Sequence, residues 1–255
     1  MKKIFYIIVS FIILISIWQL AVVFGNWNEA LFPSPLQVVK GFQELVLSGA
    51  LAAGIKSSLY RFAVGYITAA ASGIILGLLL GWFRKVWNFV NPVVQLIRPI
   101  SPIAWLPFVV LWFGIGDLPA MVIIFIAAFF PVLLTTISAV SKVDQTYIKV
   151  AKNFGLNQLQ ILTKIVLPSA FPIIATGLHL ALGTAWVFLV AGEMVGAQTG
   201  LGFMIIDARN NLRSDMLLAS ILSIGIIGLI LDSIIGLAEK KILGISGFVP
   251  NERGA

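Results

Sequence analysis

The sequence contains no cysteine, a single histidine and few charged residues. The absence of cysteine excludes disulfide scaffolds, thiol catalysis and thiolate metal sites. Only 11% of the 255 residues are charged and 60% are apolar, whereas a typical soluble domain has about 25% charged residues. This composition excludes a water-soluble globular enzyme and a disordered regulator, and it is typical of a chain whose surface faces lipid.

The chain also lacks sequence motifs for an energy source or a cofactor. It has no G-x-x-x-x-G-K-[ST] phosphate loop, no HExxH motif, no Cys/His cluster and no serine elbow, so we expect no catalytic site and no cofactor. An ion-coupled carrier usually has ionisable or broken-helix ion sites in two halves, and only one broken span is evident here. The pattern favours a transport pathway without an energy source of its own. A secondary carrier or channel, or a scaffold without a pathway, are the alternatives.

Six apolar stretches are long enough to cross a bilayer, which takes about 20 residues. The first could be a signal peptide, but Ala21–Asn28 shows no small-x-small cleavage site and we interpret it as a retained span. We therefore predict an all-α integral membrane protein with six transmembrane helices. These lie at Ile4–Phe24, Ser58–Phe83, Val86–Gly114, Leu118–Val140, Ile173–Val195 and Met216–Leu237.

The distribution of Lys and Arg predicts that both termini are cytoplasmic, because cytoplasmic loops carry an excess of basic residues. The net charge of +7 then requires no nucleic acid partner. With the N-terminus inside, the outer basic residues are Lys40, Lys56, Arg61, Arg209 and Arg213, and Arg98 falls inside a span. The inner ones are more numerous: Lys2, Lys3, Arg84, Lys85, Lys142, Lys149, Lys152, Lys164, Lys240, Lys241 and Arg253.

The segments between the spans complete the expected organisation. An outer amphipathic helix begins after Ser34, a plausible N-cap, with Pro35 at its first position. This helix lies on the membrane surface or forms a ledge for an outside partner. We expect a first transmembrane helix in 1–30, the outer amphipathic segment in 31–57, spans two to four in 58–140, a cytoplasmic loop in 141–168, spans five and six in 169–239 and a cytoplasmic tail in 240–255.

The third span is interrupted by Arg98, Pro99 and Pro102. Proline removes a helical hydrogen bond and clashes with the preceding turn. Irregular backbone at membrane depth persists only where protein buries it or where it lines a wet cavity. We interpret Arg98 as an anion-attracting residue of a pathway; the alternative is an arginine that reaches the headgroups from a helix that starts late.

The fifth span supplies three further candidate pathway residues, His179, Trp186 and Glu193. A lone histidine in a span is more often a hydrogen-bonding residue in helix packing than a proton relay, and Glu193 could lie at the outer interface. Small residues punctuate Gly73–Gly81 and Gly177–Gly196, which predicts close helix packing within a bundle or along a dimer seam.

The cytoplasmic segment Ser141–Pro168 has the pattern of two short helices. Asp144 is a good N-cap for a helix through Phe154, and Gly155 can adopt the left-handed conformation that ends it. Asn157 can cap a second helix, which we expect to end at Pro168. In the first helix Tyr147, Ile148, Ala151 and Phe154 share a face. This shape suits a partner's groove, or a hairpin resting on anionic lipid.

The same segment resembles the EAA loop of permease subunits of bacterial ABC importers. That family pattern is Glu-Ala-Ala, three residues, Gly, nine residues and Ile-x-Leu-Pro, and Ala151, Gly155, Ile165, Leu167 and Pro168 fit it in spacing. Lys149 stands where the family has Glu, so the role of that Glu does not transfer. Further motifs resemble the subgroup for aliphatic sulfonates, taurine, nitrate, bicarbonate and thiamine precursors: Leu31–Pro35, Arg98–Pro107, Trp112–Gly116, Gly192–Met194 and Thr199–Gly202.

The resemblance implies a MetI-like ABC importer permease fold in the bacterial cell membrane. It implies two cytoplasmic ABC ATPase subunits, a second permease copy in a homodimer, and an extracytoplasmic solute-binding protein that contacts Pro33–Leu47 and Thr199–Asn211, besides membrane lipid. The expected solute is small and anionic, with a thiamine precursor as the alternative within the family. The residues expected to couple to the ATPase are Asp144, Tyr147, Ile148, Ala151, Phe154, Gly155, Ile165, Leu167 and Pro168.

Overall fold

The apolar runs form helices throughout the computed structural model, which describes residues 2–25, 28 and 31–245. The first half comprises α1 (Lys2–Phe24), α2 (Pro35–Leu47), α3 (Ala50–Trp82), α4 (Arg84–Ile97), a 3-10 turn (Pro102–Trp105) and α5 (Leu106–Phe113). The second half comprises α6 (Asp117–Ser141), α7 (Gln145–Asn153), α8 (Gln158–Ile161), a π turn (Leu162–Val166), α9 (Leu167–Gly196), α10 (Leu201–Asn210) and α11 (Ser214–Ile245).

Four helical stretches of the described residues are long and apolar enough to span a membrane: Ala50–Trp82, Asp117–Ser141, Gln158–Gly196 and Ser214–Lys241. Counting α4 and the bent segment after it as one broken span makes five. The apolar stretch Ile8–Phe24 of α1 is shorter. Six spans and the orientation of the termini therefore stay predictions. Arg253 and the tail beyond Ile245 lie outside the described residues.

The contacts divide the chain into two units, of which the first comprises Met1–Leu59 and Gln198–Ile226. In this unit α2 starts as predicted: Ser34 is its N-cap in a capping box with Gln37, and Pro35 follows. The helix buries Val38, Gly41 and Leu45. Its other large apolar side chains are exposed: Leu36, Val39, Phe42 and Val46. An exposed apolar face suits a membrane surface.

The second unit comprises Tyr60–Ala197 and Ile227–Ala255, and its core is the packing of α6 along α9. Small residues permit this approach: a Cβ on Gly177 would lie 2.5 Å from Thr135 Cγ2, and one on Gly192 3.0 Å from the Cα of Ala120. On α3, a Cβ on Gly77 would lie 2.5 Å from the Cβ of Thr136. The predicted small-residue runs thus pack helices inside the chain.

The prediction that the helix after Asn157 ends at Pro168 is wrong. Asn157 caps α8 as expected, but the chain continues through the π turn into α9, with Pro168 in the first turn of α9. In the π turn the N–H of Leu167 donates to the carbonyl of Leu162, five residues back. This wider turn lets the helix pass Pro168, whose missing N–H would interrupt a regular ladder.

Candidate pathway cavity and coupling loop

The break in the third predicted span places Arg98 beside a cavity. α4 ends at Ile97 with Arg98 as its C-cap, and the helical segment that resumes at Pro102 is bent by 81° from α4. The two prolines impose this change of direction, because neither has an N–H to continue the ladder. Pro102 takes the first position of the 3-10 turn, where its missing N–H costs nothing.

The cavity has a volume of about 400 Å³ and lies within the second unit. Its polar side chains are Arg98, Thr135 and Thr184, and its other walls are apolar. The hydroxyls of Thr135 and Thr184 donate to the carbonyls of Pro131 and Leu180. Each hydroxyl oxygen can therefore still accept a hydrogen bond but has no proton left to donate. The full lining is Arg98, Ile100, Pro102, Ile126, Ala127, Phe130, Pro131, Leu134, Thr135, Thr184 and Phe188.

Arg98 is exposed and forms no ion pair with any of the described residues. A guanidinium has five N–H donors in a fixed plane, suited to a planar or tetrahedral oxyanion. An arginine at membrane depth is costly unless it faces a pathway or has a partner. The arrangement can therefore attract and orient a small anion. Pro99 is exposed and does not line the cavity.

A second arginine, Arg61 of α3, is in the opposite situation. Its Nη1 lies 2.7 Å from Glu193 Oε1 of α9, and its Nε and Nη2 lie 2.7 Å from Asp117 Oδ1 of α6. The side chains of Arg61 and Glu193 are 2% and 0% exposed, and that of Asp117 is 53% exposed. We call these three residues the ion triad. Glu193 is thus buried within the chain and paired.

The ion triad was not predicted from the sequence, which placed Arg61 on the outer side, near the start of the second span. A signal was present, however. Counting the predicted spans in alternation puts Arg61, Asp117 and Glu193 at the same membrane side. Opposite charges at one depth on three spans are typical of an internal ion pair.

The other two predicted pathway residues lie away from the cavity. Trp186 is 7% exposed and packs edge-to-face on Phe62 with ring centroids 5.5 Å apart. His179 lies between two carboxylates of α11: its Nδ1 is 2.6 Å from Glu239 Oε2 and its Nε2 is 3.0 Å from Asp232 Oδ1. His179 thus bridges α9 and α11, and the cavity lining includes neither residue.

The predicted coupling loop begins with α7 as expected. The carboxylate of Asp144 accepts from the N–H of Thr146. This hydrogen bond to the ionised form holds the pKa of Asp144 below its ordinary value. The loop also turns as expected after Phe154, because Gly155 has φ of +77°, a conformation that favours glycine.

The four side chains expected to share one face of α7 divide into two sets. Ile148 and Ala151 are 8% and 4% exposed and belong to a core cluster with Val140 and Ile161. Tyr147 and Phe154, in contrast, are 61% and 80% exposed. Burial divides this face, because α7 packs against its own chain along the edge of Ile148 and Ala151 and leaves Tyr147 and Phe154 exposed. Ile165 and Leu167 are half-buried against the same cluster, and Pro168 is exposed.

Apolar helices of spanning length and a broken span beside a cavity are typical of a multi-span membrane transport protein. The described residues contain no cluster of His, Asp or Glu suited to a metal ion.

Residues 73–244 match the family described as binding-protein-dependent transport system inner membrane component. The chain belongs to this family, and it is therefore an ABC importer permease of the cell membrane. A permease of Bacillus subtilis (strain 168), SsuC, named for aliphatic sulfonates transport, is 34% identical over 91% of this chain and 84% of its own length. The nitrate import permease NrtB of Leptolyngbya laminosa is 34% identical over 92% and 86%. The taurine transport system permease TauC of Escherichia coli (strain K12) is 34% identical over 86% and 82%.

A solved structure shows the fold. The MetNI methionine ABC transporter, in inward-facing conformations, contains a chain that superposes with a TM-score of 0.65 at 21% identity. The superposition covers 78% of this chain and 97% of that chain. The resemblance stated from the EAA-type loop is thus confirmed at the level of the family and of the MetI-like fold.

Proposed function

We propose that this chain forms the membrane pathway of an ATP-driven importer for a small oxyanion of the sulfonate, taurine or nitrate type. The observation that carries the proposal is Arg98, which has no ion-pair partner among the described residues and lies in the wall of a cavity of about 400 Å³. The cavity walls contain one cation and no carboxylate. This charge favours an anion over a solute without negative charge. The names of the relatives above support the same class.

In this proposal two copies of the chain face one another and the path runs between them. Each copy spans the membrane six times with both termini in the cytoplasm, and a solute-binding protein delivers the anion from outside to Pro33–Leu47 and Thr199–Asn211. The anion passes Arg98, whose guanidinium donates to it, and Thr135 and Thr184 contact it through water, because their hydroxyl protons are donated to backbone carbonyls. A single cation holds an anion weakly enough to release it, which transport requires.

Energy comes from two separate ATPase subunits that bind the loop 141–168. Tyr147 and Phe154 are the side chains for direct contact, because both are large, aromatic and exposed. Ile148 and Ala151 transmit the motion, because their burial links α7 to the ends of α6 and α9. The turn at Gly155 sets the angle between the two parts of the loop. A tightly held contact is needed, since a ligand shifts a two-state equilibrium only by its differential affinity.

The experiment measures uptake of radiolabelled taurine, an alkanesulfonate and nitrate into liposomes holding the permease, its ATPase and its binding protein. We expect Arg98→Gln to reduce uptake of the transported anion at least about tenfold, the loss of one charge-assisted contact. Arg98→Lys should retain more uptake than Arg98→Gln, because it keeps the positive charge. Lys85→Gln, which removes a cation from the other end of α4, is the matched control and should transport normally.

ATP hydrolysis in the same liposomes separates the pathway from the coupling loop. Arg98→Gln should still bind the ATPase, whereas Tyr147→Ala with Phe154→Ala should release it. Normal anion uptake by Arg98→Gln would contradict the pathway role. Solute movement by the permease alone, with no ATPase present, would instead support the secondary carrier.

A further inference from the structure

A second polar cavity, of about 450 Å³, lies where α3 and α6 end and α7 begins. Its wall includes Trp82, the last residue of α3, and Ser141, the last residue of α6. The wall also includes Gln145 and Ile148 of α7 and the cations Arg84 and Lys152. The cavity shares no lining residue with the cavity of Arg98. We call it the loop cavity.

The charge of the loop cavity is uncompensated. Arg84 and Lys152 both line it, and neither makes an ion pair within the described part of the chain. The lining contains no carboxylate. Arg84 offers a planar fork of donors, Lys152 a compact ammonium and Gln145 two amide N–H groups. Donors of this kind converging on one cavity are suited to a phosphate group.

The helix dipoles at the cavity have both signs, because α4 begins there whereas α3 and α6 end there. α4 begins at Arg84, and its N-cap residue, Phe83, makes no side-chain capping bond, so the positive end of this helix is not neutralised by a side chain. The last carbonyls of α6 are already engaged, since Ser138, Ala139 and Val140 accept from the N–H groups of Lys142 and Val143. They therefore oppose an anion less than free carbonyls would.

The ends of two candidate spans place the loop cavity at the depth expected for lipid headgroups. Ala50–Trp82 and Asp117–Ser141 both meet the criteria for membrane spans, and the cavity is at the end of each. Tryptophan prefers this interface, where its ring is half in hydrocarbon. The basic residues here lie on the side that the charge pattern predicts to be cytoplasmic, and basic pockets between spans on that side accept anionic headgroups.

We propose that the loop cavity binds a phosphate group, that of an anionic phospholipid headgroup such as cardiolipin. The bound headgroup would join Arg84 at the start of α4 to Lys152 in α7, and so hold the coupling helix against the ends of α3 and α6. This site is independent of the transported solute and of Arg98. The same chemistry would accept free inorganic phosphate, so the experiment separates the two sources.

The experiment uses the permease purified with its ATPase into discs of phosphatidylcholine, with cardiolipin titrated in and its retention measured by native mass spectrometry. The double variant Arg84→Gln/Lys152→Gln removes both cations. The matched control, Lys85→Gln/Lys149→Gln, removes the same charge from α4 and α7 at positions outside the cavity lining. Thermal unfolding of both variants checks that they fold.

We expect the cavity variant to bind cardiolipin about 30-fold more weakly, because each basic side chain near an anionic headgroup contributes about fivefold. The control should lose less than about threefold in cardiolipin affinity, through the loss of general surface charge. Equal losses in the two variants would overturn the proposal, and so would a wild-type protein that retains no cardiolipin and binds no inorganic phosphate.

Inorganic phosphate at rising concentration is the second probe. If it displaces cardiolipin and its own binding depends on Arg84 and Lys152, the site takes phosphate from either source. If cardiolipin binds and inorganic phosphate does not, the headgroup of a lipid is the ligand. Anion uptake is measured separately, so failure of this site leaves the transport proposal intact, and the reverse also holds.

Discussion

Two arginines in the second unit, Arg61 and Arg98, show how differently one residue type can be placed in a membrane protein. Arg61 is 2% exposed and joined to two carboxylates at 2.7 Å. Arg98 is exposed, lines a cavity and has no ion-pair partner in the described residues. A buried charge is tolerated when it is paired. An unpaired one at membrane depth indicates that something else, such as a solute, is its partner.

The packing around the two arginines also differs. Near the ion triad a Cβ on Gly196 would lie 2.8 Å from Pro119 Cβ, and the N–H of Gly116 donates to the carbonyl of Gly196 at 2.7 Å. Near Arg98 the backbone bends by 81° and leaves a cavity. One region is therefore tightly packed structure, and the other has room for a ligand.

The largest effect should follow from removing one member of the ion triad. We expect Arg61→Gln to lower the free energy of unfolding by about 3–5 kcal/mol, because the buried carboxylate of Glu193 loses its cationic partner. Glu193→Gln should cost less, because Arg61 keeps the carboxylate of Asp117. The double variant Arg61→Met/Glu193→Leu should recover most of this loss, because it removes both buried charges. The remaining charge of the triad, on Asp117, is half-exposed to solvent. Thermal and denaturant unfolding in detergent measures both. Single variants as stable as the wild type would show that the triad is not structural.

Overpacking beside the ion triad should have an intermediate effect. Gly192→Val adds atoms where a Cβ already lies 3.0 Å from the Cα of Ala120, and we expect a loss of about 1–3 kcal/mol. Gly183→Ala is the matched control on the same helix, since nothing lies within 4 Å of its added Cβ. It should be neutral or stabilise by up to about 1 kcal/mol. The comparison fails if the two variants unfold at the same temperature.

The smallest effect on stability should come from Arg98. Because no described residue pairs with it, Arg98→Gln should change the free energy of unfolding by less than about 0.5 kcal/mol, although it reduces anion uptake. The unfolding assay is the one used for the ion triad. A loss comparable to that of Arg61→Gln would mean that Arg98 has a structural partner and would remove the contrast between the two sites.

Local features were predictable from the sequence because their causes lie within a few residues. The caps at Ser34, Asp144 and Asn157, the left-handed Gly155 and the break at Arg98–Pro102 all follow from hydrogen bonds or sterics within one turn of helix. The family too was recognisable, since the EAA-type spacing is a local pattern.

Features that depend on distant residues were missed or wrong. The continuation of the helix past Pro168 depends on a π turn upstream, and the burial of Ile148 and Ala151 depends on the core that they share with Val140. Helical periodicity gives the faces of α7 but not which face meets the rest of the chain. For the same reason the sequence did not show that α2 buries Val38, Gly41 and Leu45 and leaves Leu36, Val39 and Val46 exposed.

The sequence by itself determined the membrane setting, the all-helical class, the caps of α2, α7 and α8, and the family, because composition and short-range spacing carry that information. Only the tertiary structure decided which charges are structural and which face a cavity. Arg61 and Asp117 are 56 residues apart and Arg61 and Glu193 are 132 apart. Whether a carboxylate neutralises an arginine depends on the atoms within a few ångströms of its guanidinium. The separation of two residues along the sequence does not show whether they are that close in space.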